Sequence, residues 1–182
     1  MNAVVRAYND RPRSEVTPNG ADDASVAGGL FGFDLWSWMQ SGRPWRVAES
    51  LIKLRDQINQ MAPNRSKLSD GTIGDTSHKH RPSDHNPHIG DSGVGVVSAL
   101  DITHDAIHGC DASAIAESLR HSQDVRVKYV IWNRRIFSSL ESPWTWRDYE
   151  GVNPHDKHVH ISVMERKDLY DSTNSWTLSV RS

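Results

Sequence analysis

His155-Asp156-Lys157-His158-Val159-His160-Ile161-Ser162-Val163 is the stretch that decides how the rest of the chain is read. Residues two apart on a strand share a face, so Val159, Ile161 and Val163 would point to a core. His158, His160 and Ser162 would then point the other way. Two imidazoles side by side on a core strand are poor packing residues, and they make sense if one binds a metal and the other binds or handles protons. A second stretch, Val96-Val97-Ser98-Ala99-Leu100-Asp101-Ile102, reads as one buried strand that delivers Asp101 at its end. A carboxylate in such a place is costly without a cation or strong hydrogen bonds.

Working outward, Val47, Leu51, Leu54, Ile58 and Met61 form one apolar stripe at helical spacing, ended by Pro63 and Asn64. Arg65 to Gly95 reads as a long functional loop. Asp111 is placed to cap a helix running to about His121, with Ile115 and Leu119 inward. Val127–Trp132 and Arg135–Phe137 read as two strands joined at Asn133-Arg134. The expected fold is therefore α+β: a small antiparallel sheet packed by helices on one face, with the metal at the open face. Residues 1–45 are expected to be a partly flexible, irregular N-terminal arm, with the aromatic run Leu30–Met39 packing on the domain. Residues 46–166 are expected to form the functional domain and 167–182 a C-terminal tail.

Composition narrows the function classes. The 182 residues carry 21 Lys and Arg against 23 Asp and Glu, a formal charge of −2, which provides no general basic field for nucleic acid or anionic lipid. Cys110 is the single cysteine, so no internal disulfide or thiolate metal cluster can form; it is read as a small residue at a helix start. No secretory signal or membrane-length run is seen, and a monomer without nucleic-acid or membrane partners is expected. All ten histidines lie between His78 and His160, a concentration that suits a metal or acid–base site.

His85, in Ser83-Asp84-His85-Asn86-Pro87, completes the set with Asp101 and His160: two imidazoles and one carboxylate. Three such ligands leave a fourth zinc position for water, the pattern of a catalytic site. His104 competes as a ligand. His78, His80 and His88 are read as solvated loop residues, and His108 and His121 as structural. Trp144, Trp146 and Tyr149 are read as core aromatics, with a place in the cleft wall as the alternative.

Ser83-x-His85, the Gly-x-x-x-Ala-x-Asp segment ending at Asp101, and the C-terminal His158-x-His160 resemble the motifs of the M15 zinc peptidases over residues 45 to 165. That group includes D-alanyl-D-alanine carboxypeptidases, murein endopeptidases and phage endolysin peptidases. The resemblance implies a Hedgehog/DD-peptidase-like fold and one zinc ion on His85, Asp101 and His160. It further implies catalytic assistance from His158 and His155, hydrolysis of an amide bond in peptidoglycan stem or cross-link peptides, and substrate binding by Arg81 with Ser83. An enzyme of that kind would remain in the producing cell until release, or travel in a phage particle, and act on the cell wall. Two departures stand out. The family's usual spacing from His to Asp is seven residues and here it is sixteen, an insertion expected to lie through His88–Gly93. The family's acid three residues before the last ligand is here Lys157, so the base role passes to His158, with His155 next and then Asp156. The competing readings are a metal-dependent phosphoesterase or nuclease, and a non-catalytic wall-binding module.

Overall fold

A computed structural model describes residue 42 and residues 44–73 and 83–179. The aromatic run Leu30–Met39, most of the expected arm, His78, His80 and Arg81 lie outside the described residues.

The fold is α+β with two small sheets. In chain order the elements are β1 (Trp45–Val47), α1 (Glu49–Met61), β2 (Ile89–Asp91), β3 (Val94–Val97), β4 (Ala99–Thr103), α2 (Ala112–Ser122), β5 (Val127–Trp132), β6 (Arg135–Ser138), β7 (Arg147–Asp148), β8 (His158–Val163) and α3 (Lys167–Tyr170), with a short 3-10 turn at Ala106–His108. The larger sheet has the order β4-β8-β5-β6-β7 and is antiparallel throughout. The smaller one, β1-β3-β2, pairs β1 with β3 in parallel and β2 with β3 antiparallel.

Alternation along β4 and β8 sorts the larger sheet into a dry face and a functional face. Leu100 lies opposite Ile161 and Ile102 opposite Val159, and all four are buried in the core with Leu51, Leu54, Ile58, Ile115 and Leu119 of the helices. Asp101 lies opposite His160 and Thr103 opposite His158, on the other face. A one-residue slip would exchange the faces, so the apolar set fixes the register that aligns the polar one.

The helices form largely where the sequence puts them. Asp111 caps α2 by accepting a hydrogen bond from Ser113 N at 2.8 Å, and Ile115 and Leu119 are buried. The stripe of α1 is narrower than expected: Val47 belongs to β1, and Met61 is exposed. At Asn133-Arg134 both residues have positive φ, 46° and 60°, the backbone a tight two-residue hairpin requires.

Two expectations change. Val96–Ile102 is not one strand, because the chain changes sheets at Ser98. Ser98 N donates to Asp84 O at 3.1 Å and its carbonyl accepts from Val163 N at 2.9 Å, while Val97 O serves Ala48 N. The small and apolar side chains on either side of Ser98, Val96-Val97 and Ala99-Leu100, carry no mark of that handover. Secondly, the segment after residue 166 supplies core. Tyr170 and Trp176 are both buried, and Trp176 Nε1 donates to Ser50 O at 2.8 Å. The Arg126 guanidinium lies 3.7 Å over the Trp176 ring, and Gln57 brackets the Trp176 backbone from both sides.

Truncating that indole leaves a large cavity between α1 and the start of β5. Trp176→Ala is therefore expected to lower unfolding free energy by about 3–5 kcal/mol. Chemical denaturation checks this, and an unchanged midpoint would show the segment to be an accessory.

Candidate metal centre

The site lies where β4, β8 and the Ser83–Asn86 turn meet. His160 and Asp101 are directly opposed across the ladder, with His160 Nδ1 and Asp101 Oδ1 3.0 Å apart. His85 arrives from the turn: its Nε2 is 3.1 Å from His160 Nδ1 and 3.3 Å from Asp101 Oδ1. All three residues are buried, Asp101 completely. They form a group that could hold a metal ion.

The hydrogen bonds on the far sides of the rings say what the near sides offer. His85 Nδ1 is 3.1 Å from the Thr72 carbonyl, which can only accept, so Nδ1 carries a proton and the neutral ring turns the Nε2 lone pair inward. His160 Nε2 is 3.0 Å from Ser162 Oγ; with Nε2 donating, its Nδ1 lone pair also points inward. Two nitrogen lone pairs and a carboxylate oxygen thus face one another at 3.0 to 3.3 Å, which repels unless something positive lies among them. Asp101 Oδ2 has no hydrogen-bond partner among the described residues. Metal–ligand bonds of about 2.0–2.1 Å in a tetrahedron separate ligand atoms by about 3.3 Å, within a few tenths of an ångström of what is seen. The donor set and its geometry fit a divalent cation.

Protonation preferences agree. Burial alone would raise the Asp101 carboxyl, but the His85 and His158 charges and the His160 hydrogen bond hold it well below the usual carboxylate range. Burial works against the charged form of His85 too, yet Asp101 and the Thr72 carbonyl raise it overall. His160 goes the other way, pushed down to about 4 by burial and by the neighbouring His85 and His155 charges, against the pull of Asp101. Of the two ligand imidazoles, His85 is therefore the one that holds a proton more readily.

Other expected site residues take definite places. His158 Nε2 is 4.0 Å from Asp101 Oδ2, and the His155 ring lies 5.1 Å from His158 and 5.7 Å from His160, so both flank the triad. His155 sits at φ 50° on a loop held by the β5–β6 turn, where Asn133 N donates to His155 O at 3.0 Å and Arg134 N to Pro154 O at 2.8 Å. Its Nδ1 lies 3.0 Å from the Asn153 carbonyl, leaving Nε2 as the acceptor atom of the neutral ring. Asp156 and Lys157 are exposed. Ser83 Oγ accepts from His85 N at 3.2 Å, so this side chain braces the turn that carries the ligand.

His104 is not brought into the triad: its Nδ1 accepts from Ala112 N at 3.1 Å, at the start of α2. Cys110 is buried, its Sγ–H directed at Thr103 O at 3.3 Å. His108 pairs with Asp105, and His121 is largely exposed beside Glu117. Trp144 and Trp146 pack on Phe137, whereas Tyr149 lies against His155 with ring centres 5.3 Å apart. Tyr129 stacks on His160 at 5.5 Å.

Sequence reading missed Thr72 and the place of His88, and read the segment between His85 and Asp101 only as a bulge. Thr72 acts through its carbonyl, which no side-chain pattern reveals. The segment His88–Gly93, read as an inserted bulge, is part of a β2–β3 hairpin whose turn residues Ser92 and Gly93 both have positive φ. The hairpin closes where Ser98 N meets Asp84 O, so the extra residues loop away and return without separating His85 from Asp101. His88, expected to be solvated, lies 3.3 Å from Glu165 in a network with Asp84 and Lys128. Asp84, His88 and Glu165 could also be taken for a metal set. The Lys128 ammonium is already 3.1 Å from Glu165 and 3.3 Å from Asp84, so that position has its cation.

No family model, curated protein or solved structure matches the chain.

Chelator-stripped protein is expected to bind a divalent cation, with Zn2+ as the probe, and His160→Ala or Asp101→Ala to abolish tight uptake. Because metal must displace the proton that His85 holds more firmly than usual, affinity should fall as pH drops below the raised His85 value, by about tenfold per unit for one proton displaced. Isothermal titration at several pH values checks both. Affinity that is flat with pH would contradict the proton-for-metal exchange.

Proposed function

We propose that the chain is a zinc-dependent peptidase that hydrolyses an amide bond in peptidoglycan stem or cross-link peptides. The observation that carries this reading is the convergence of His85 Nε2, His160 Nδ1 and Asp101 Oδ1 with lone pairs inward, beside two further histidines. Three protein ligands suit a catalytic zinc with an exchangeable position better than a closed structural site. When bound, zinc lowers the pKa of a water and polarises a carbonyl, the two needs of amide hydrolysis.

The protein's own groups divide the remaining work. The base role, read from the sequence for His158 first and His155 next, is proposed here for His155, because its Nδ1 contact to Asn153 O leaves Nε2 as the proton-accepting atom that can take the proton from the attacking water. His158, beside the Asp101 carboxylate, is favoured as the group that stabilises developing negative charge or protonates the leaving amine. Tyr149 and the positive-φ backbone of His155 hold that ring in place before substrate arrives.

The wall-peptide substrate and the single zinc rest on the motif resemblance to the M15 peptidases. The Hedgehog/DD-peptidase-like fold is proposed on the same ground, supported by an antiparallel sheet with helices on one face and the ligands on the other. Action on the wall after release from a producing cell, or from a phage particle, is part of the proposal, as is a monomeric state. The phosphoesterase alternative is weaker, because the neighbouring carboxylate cluster already contains Lys128.

Zymography on purified cell wall tests the reading. Clearing should vanish with chelator, return with Zn2+ and be absent in His160→Ala. His155→Ala should keep its zinc and lose about 10²–10⁴-fold in rate. Clearing that survives both chelator and His160→Ala would sink the proposal.

A further inference from the structure

We propose that the buried Arg65–Asp70 ion pair is a positioning device for the metal ligand His85, acting through the Thr72 carbonyl. The inference rests on the metal-centre reading.

Neither residue is hydrogen-bonded or ion-paired to a ligand. The Arg65 side chain is fully buried, and its two terminal nitrogens reach the two oxygens of Asp70 at 2.8 and 2.6 Å. The remaining guanidinium contacts are to Asn59 Oδ1 at 2.9 Å and Ser66 O at 3.0 Å. Asp70 in turn binds the end of β4. Its Oδ1 accepts from Thr103 N at 2.9 Å and Thr103 Oγ1 at 2.8 Å, while Ser69 N donates to Thr103 Oγ1 at 2.9 Å. The carboxylate therefore pins the incoming segment to the strand that carries Asp101.

The next residues use that anchorage. Gly71 and Asp101 exchange both backbone hydrogen bonds, at 3.2 and 2.8 Å, an isolated bridge of one residue pair. One residue later, Thr72 O receives the His85 Nδ1 proton. A single carbonyl thus sets both the ring orientation and the tautomer of His85. Its position is fixed against Asp101 by one bridge and one ion pair rather than by a full strand.

Burying a guanidinium and a carboxylate is a poor way to gain stability, since an apolar pair of similar volume often does as well. What the pair supplies is geometry: a forked donor and a carboxylate, each with two further hydrogen bonds, allow one arrangement. Groups that orient metal-ligating histidines from behind typically contribute 10–100-fold in metal affinity.

The test measures Zn2+ affinity of the full chain by chelator competition, together with the visible absorption of the Co2+-loaded form. Asp70→Asn and Arg65→Lys are compared with Asp124→Asn, which breaks the Asp124–Arg126 pair (2.8 and 2.6 Å), a pair that touches neither residues 65–73 nor the ligands. The expected result is a 10–100-fold loss of Zn2+ affinity and an altered Co2+ spectrum in the first two, with wild-type values in Asp124→Asn. If Asp70→Asn fails to fold, Arg65→Lys, which keeps the charge and loses the fork, decides alone. Unchanged affinity and spectrum in the folded variants overturn the inference while leaving the metal centre standing. An equal loss in Asp124→Asn overturns it too, by assigning the effect to general destabilisation. Absence of Zn2+ uptake by the wild type overturns the metal-centre reading, and the inference falls with it.

Discussion

Asp101 is a carboxylate without solvent contact, in the middle of a strand, opposite His160. Its ionised form would be expensive there without compensation, and the surrounding structure is arranged to provide it. The β4–β8 register brings His160 across from it, the Ser83–Asn86 turn brings His85 over it, and His158 stands by its second oxygen. The partners come from two distant parts of the chain, β8 and the Ser83–Asn86 turn. The folded state is what assembles them, and a bound cation would be part of what holds it together.

That dependence explains features that otherwise look unrelated. The β2–β3 hairpin lengthens the path from His85 to Asp101, yet its base is tied by the Asp84–Ser98 hydrogen bond, so the site does not register the extra length. Lys128 holds Asp84 and Glu165 from β5, which fixes the residue just before His85. On the far side, the two-residue turn at Asn133-Arg134 steadies the loop bearing His155. These devices hold irregular segments against a regular sheet, a common division of labour between scaffold and functional loop.

Much of this was legible from residue order because alternation and chemistry point the same way. Val159, Ile161 and Val163 mark the dry face, so His158 and His160 had to share the other. A charged residue closing an apolar run identified Asp101. The Asp111 cap and the Asn133-Arg134 turn were likewise readable, since local hydrogen bonding and turn geometry constrain those positions directly. The handover at Ser98 was not readable, because β3 and β4 are both buried beside it and the side chains do not distinguish them. Trp176 is unreadable as core for the opposite reason: a lone indole in a polar stretch gives no period, and only the pocket between α1 and Arg126 makes it core. Thr72 and the Arg65–Asp70 pair act through backbone and long-range contacts, which carry no signature in spacing.

His85, Asp101 and His160 are proposed to hold one zinc ion. X-ray absorption at the zinc edge of the loaded full chain addresses this without reference to activity or stability. The expected spectrum shows a shell of about four nitrogen or oxygen neighbours at about 2.0–2.1 Å, with the outer scattering of two imidazoles. A sulfur neighbour at about 2.3 Å, or a shell without imidazole scattering, would contradict the proposal.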